Sequence, residues 1–146
     1  IKGKKYVGSP AKYYFEDIGL RNARINFRQI EETHIMENII FNELRLRGFK
    51  VDVGVVEKYQ KDKDDKTNRI NYEVDFVTNK GSQRIYIQSA YAIPTKEKED
   101  QEMRSLNNIP DLFRKMIVVK DNIKLRRSEE GIEAIGLMEF LLGDWE

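Results

Sequence analysis

A helical stretch over 29–47 runs directly into three segments of two-residue period, and this order constrains the fold more than any other feature. The helix, QIEETHIMENIIFNELRLR, closes at Gly48, a residue type suited to a helix C-terminus. FKVDVGVVE (49–57) alternates Phe49, Val51, Val53 and Val55, and RINYEVDFV (69–77) alternates Ile70, Tyr72, Val74 and Phe76. RIYIQSAYAI (84–93) alternates Ile85, Ile87, Ser89 and Tyr91 until Pro94 stops it. Residues 58–68 read as a solvated loop at a hairpin tip, and the stretch Asn79–Gly81 is turn chemistry. A polar helix at 95–107 follows, then strands at 116–119 and 132–136 and a short helix at 137–142. Upstream, KYYF (12–15) reads as a short strand or extended piece leading into a short helix at 17–24. The succession helix, three strands, helix, strand predicts one α/β or α+β domain.

Composition narrows the function classes. A chain of 146 residues has the length of one domain with a real core. Its 35% charged residues exceed the usual ~25%, yet the apolar segments above exclude a disordered chain. The absence of cysteine excludes disulfides, thiolate metal sites and thiol nucleophiles. No apolar run approaches the ~20 residues of a membrane span, and no signal peptide is visible, so a soluble, cytoplasmic domain without a membrane partner is expected. The start at Ile1, in the basic stretch IKGKK, reads as a cut within a longer protein. The formal charge of +1 hides an asymmetry: residues 1–30 carry seven basic and two acidic side chains, residues 101–146 seven basic and nine acidic. A basic end suits phosphates or an acidic protein surface, while the balanced total opposes a dedicated, tight nucleic-acid binder.

Two carboxylates and an amide stand out. At roughly 100° per residue, Ile40, Phe41 and Leu44 surround Glu37 on the helix, leaving a narrow polar arc of His34, Asn38, Asn42 and Arg45. Glu37 thus projects toward the sheet side, where a carboxylate needs a cation, a metal or hydrogen-bond donors. The plainer alternative is that Glu37 snorkels outward or pairs with an arginine such as Arg104. On the second strand, strict alternation sets Val74 and Phe76 on one face and Glu73, Asp75 and Val77 on the other. On the third, Gln88 and Ala90 point opposite to Ile85 and Ile87, on a face that can adjoin Asp75, although ordinary surface alternation explains the same pattern.

The order helix Glu37, strand Asp75, then Gln88-x-Ala90 resembles the PD-(D/E)XK, or restriction-endonuclease-like, nucleases. The resemblance implies a central mixed β-sheet flanked by helices, with Glu37 and Asp75 as ligands of a divalent metal such as Mg²⁺ and Gln88 in the (Glu/Gln) position. Hard cations need oxygen ligands, and such a metal generates hydroxide and shields phosphodiester charge. The lysine that stabilises developing charge in that family is replaced by Ala90, so the implied catalytic set is degenerate. Lys96, just beyond Pro94, is the candidate to supply that charge from a neighbouring element.

Longer phrases carry a closer resemblance: GSPAKYYFEDIGLRNA (8–23), MENIIFNELRLRGFKVDVG (36–54), INYEVDFVT (70–78), IYIQSAYAI (85–93), RSLNNIPDLFRKMIVV (104–119) and GIEAIGLMEFLLG (131–143). Together they resemble the C-terminal domain of unknown function of prokaryotic predicted AAA-type ATPases. This implies an ATP-binding module upstream, and no phosphate-binding loop lies within these 146 residues. The expected function is an accessory domain of such an ATPase, nuclease-like but degenerate, with its own ATPase module, a nucleic acid or another protein as partner. An active Mg²⁺-dependent nuclease and a purely protein-binding or regulatory module are the alternatives. Elsewhere, His34 without partners makes neither a triad nor a zinc site, the serines lack a nucleophile elbow, and the tyrosines suit packing better than base stacking. Trp145 either packs back on the domain or reaches a partner.

Overall fold

In a computed structural model, the described residues are 11–28, 30–61, 67–92 and 96–146, with the backbone alone for 96–100. Helices α1 (Ile18–Arg24) and α2 (Glu32–Leu46) precede strands β1 (Lys50–Lys61), β2 (Thr67–Lys80) and β3 (Gln83–Ala90). Helix α3 (Lys96–Asn107), strands β4 (Arg114–Val119), β5 (Arg126–Arg127) and β6 (Glu133–Gly136), and helix α4 (Leu137–Leu142) complete the order. Six strands form one sheet in the order β1-β2-β3-β4-β6-β5. Its first three strands are antiparallel neighbours, β3, β4 and β6 run parallel, and β5 returns antiparallel. The domain is therefore mixed α+β, a six-stranded sheet flanked by helices.

Each face of the sheet buries its own apolar layer. Met36, Ile40 and Leu44 of α2 and Phe140 of α4 cover Phe76, Ile85, Ile87, Met116, Val118 and Ile135. Met103 and Leu106 of α3 cover Val74, Tyr86, Ala90, Ile117 and Val119 on the opposite face. Burying a Leu, Ile or Phe side chain contributes about 1.5–3 kcal/mol, so these two layers dominate the stability. Trp145 closes the first layer, stacking on Phe140 and Phe49 with its indole N–H donating to the Phe140 carbonyl at 2.6 Å. Gly48 takes φ +85° after α2, and Gly81 takes φ +60° in the two-residue turn that joins Lys80 to Gln83.

Residues 12–15 take the extended form, one of the two expected, and lie as a strap on α2. Two local expectations are corrected. Residues 58–61 and 67–68 are paired strand rather than loop, so β1 and β2 continue as a two-stranded arm beyond the Phe76–Lys80 stretch that β3 covers. Most consequential is the register of β2. Asp52 pairs with Val77 but Gly54 pairs with Val74, leaving Asp75 and Phe76 together opposite Val53. This β-bulge breaks the alternation: Val74 packs under α3 and Phe76 under α2, not on a shared face. Gly54 fits the bulge because a Cβ there would come within 2.6 Å of Val77 Cγ2.

Candidate functional site

The bulge builds the site. The β2–β3 ladder ends at the Phe76–Ile87 pair, and beyond it side chains replace backbone partners. Asp75 Oδ2 accepts the Ser89 N–H at 2.9 Å, while the Asp75 N–H donates to Gln88 Oε1 at 3.4 Å. The Ser105 hydroxyl of α3 also donates to Gln88 Oε1, at 3.3 Å. Asp75 and Gln88 are thus brought together, but as mutual supports of a split between strands. Ala90 is buried in the apolar layer under α3, so a residue in this slot points into packing rather than toward the carboxylates. The side chain of Lys96 lies outside the described residues, as does Pro94.

The cation in this region comes from a position that the sequence pattern did not single out. Lys12 Nζ lies 3.4 Å from Glu37 Oε2, 3.3 Å from Asp75 Oδ1 and 2.5 Å from Glu73 Oε1. Glu37 therefore pairs with Lys12 rather than with Arg104. The strap that delivers Lys12 is tied to α2. Asn38 exchanges two hydrogen bonds with the Phe15 backbone, at 2.9 and 2.6 Å, and Asn42 donates to the carbonyls of Phe15 and Glu16. Tyr14 stacks flat on Phe41 with ring centroids 4.3 Å apart. The polar arc of α2 is thus in part a docking stripe, with Asn38 buried, while His34 stays exposed beside Glu31. The signal was available: two asparagines one turn apart can satisfy an adjoining extended backbone.

The electrostatics follow from this crowding. Burial pushes the Asp75 carboxyl up to about 6; the Ser89 N–H and Lys12 oppose the rise, and the Glu37 charge adds to it. For Lys12, burial works against the charged form, but the Glu73 hydrogen bond and the Asp75 and Glu37 charges more than offset it and hold the ammonium above its usual range. Burial likewise pushes the Tyr14 hydroxyl up, and among the described residues that buried oxygen has no hydrogen-bond partner. A cavity of about 300 Å³ adjoins the cluster, lined by Lys12, Tyr14, Arg21, His34 and Glu37 among others.

A divalent metal does not fit these groups as they stand. Among the described residues no three His, Cys, Asp or Glu side chains are disposed to hold one. The Lys12 ammonium sits in the volume that the three carboxylates share, and Gln88 turns its oxygen to the Asp75 amide and to α3. The arrangement binds its own internal cation and presents a polar cavity.

The chain belongs to the family described as Domain of unknown function (DUF4143), which matches residues 32–140. That span runs from the start of α2 to α4 and contains Glu37, Asp75 and Gln88, but not Lys12. The chain is also similar to an uncharacterized protein of Haemophilus influenzae, 31% identical over 142 residues. The match takes in 97% of this chain but 31% of that protein, so the chain spans about a third of its relative's length. No solved structure matches. Among the described residues no helix is long and apolar enough to cross a membrane.

Proposed function

We propose that this domain is the C-terminal accessory domain of a predicted AAA-type ATPase, restriction-endonuclease-like in fold, with a degenerate metal site. Its role is to bind a protein partner or a nucleic acid. The order of a helix, three antiparallel strands, a second helix and a parallel strand supports the nuclease-like reading. The observation that carries the degenerate reading is Lys12: one ammonium already neutralises part of the Glu37, Glu73 and Asp75 cluster. A hydrated Mg²⁺ needs near-octahedral oxygen coordination, which this packing does not offer.

The surface favours protein over nucleic acid. Helix α1 buries none of its residues, and Leu20, Phe27 and Ile30 around it are exposed. Exposed apolar side chains suit an apolar interface, such as one with the domain's own ATPase module, better than a phosphate backbone. The active-nuclease alternative gains one point from the same geometry, since Lys12 supplies a lysine ammonium where Ala90 cannot.

Incubation with single- and double-stranded DNA and RNA in Mg²⁺ or Mn²⁺ separates the readings. The accessory-domain reading expects no cleavage from the wild-type protein. Cleavage that Asp75→Ala abolishes would establish the nuclease instead.

A further inference from the structure

We propose that β1 pairs edge to edge with β1 of a second copy of this chain, antiparallel about a two-fold axis through Val55. β1 is the first strand of the sheet order, is twelve residues long, and among the described residues is paired on its β2 side alone. Such an edge offers a row of backbone donors and acceptors. It contains no proline, and the bulge that could blunt it lies on β2 instead. Val53, Val55 and Tyr59 stand exposed along it, while Val51 near its start is half-buried against the core layer that contains α2.

Charge spacing selects the occupant and the register. With Val55 opposite its own copy, Asp52 faces Lys58 of the second copy, and Lys58 faces Asp52, so two ion pairs form on one face. Slipping the second strand by one residue places Asp52 opposite Glu57; slipping it the other way places Lys50 opposite Lys61. Either slip also sets the residues of one sheet face against those of the other. The pattern is therefore self-complementary in a way that an arbitrary peptide is not.

Sedimentation equilibrium from micromolar to near-millimolar protein tests this. The expected result is a reversible dimer that Asp52→Lys weakens about tenfold or more, by exchanging two attractive pairs for two repulsive ones. Adding Lys58→Asp to Asp52→Lys restores the pairs with their signs reversed and returns the affinity toward wild type. Because the chain has no cysteine, Val55→Cys introduces a single thiol, which oxidation should cross-link to its own copy, whereas Gln60→Cys should not. A monomer throughout the range overturns the proposal, as does a dimer indifferent to Asp52→Lys or one that the double variant does not restore.

Discussion

Asp75 and Glu133 are both buried acids on strands of one sheet, 6% and 4% exposed, yet their surroundings drive them in opposite directions. Burial alone would raise Glu133, but the Arg127 and Arg114 hydrogen bonds, at 2.6 and 2.7 Å, hold its carboxyl below the usual range. Asp75 has one backbone donor and a lysine it shares with Glu37 and Glu73, and its carboxyl rises to about 6. Two dedicated guanidiniums make a closed structural pair at Glu133. Three acids around one ammonium leave an under-compensated cluster beside a cavity, and this difference makes the Asp75 region the candidate site.

The contrast can be broken most severely at Glu133. Glu133→Ala strands Arg114 and should cost about 2–3 kcal/mol in urea unfolding, below the full cost of a deeply buried pair because Arg127 reaches solvent. At Asp75 a smaller loss is expected. Asp75→Ala leaves the Ser89 N–H without its acceptor and should cost about 1–2 kcal/mol. Asp75→Asn keeps an acceptor oxygen and sheds the buried charge, so at pH 8 it should be milder than alanine. The sign with pH follows from a folded-state value above the ordinary aspartate value of 3.8. The folded protein holds the Asp75 proton more tightly, so this group's contribution to stability is present at low pH and falls as pH rises toward 6. The stability of Asp75→Asn, followed by thermal unfolding between pH 4 and 7, should lack that decline.

Much of the fold was legible because burial imposes period on sequence. The helix expected at 29–47 is Glu32–Leu46, the polar helix at 95–107 is Lys96–Asn107, and the short helix at 137–142 is Leu137–Leu142. The strand at 116–119 forms within Arg114–Val119, and the one at 132–136 is Glu133–Gly136. Two-residue Arg126–Arg127 carries no period and was not visible. The site was less legible for a particular reason. A single bulge at Asp75–Phe76 reverses the faces that strict alternation assigns, and it has no signature in β2 itself, only in Gly54 across the ladder. Glu37, Asp75 and Gln88 were found as candidates, but Lys12, 63 residues before Asp75, reaches the site through a strap whose anchors are Asn38 and Asn42. Spacing along the chain carries no record of such a contact.

Lys12 is the cation of the Asp75 cluster. NMR titration of the Asp75 side-chain carboxyl, in the wild type and in Lys12→Ala, tests it directly. The expected wild-type midpoint is about 6, and removing the ammonium should move it higher still. A wild-type midpoint at or below the ordinary value for aspartate, or one that Lys12→Ala leaves in place, would contradict it.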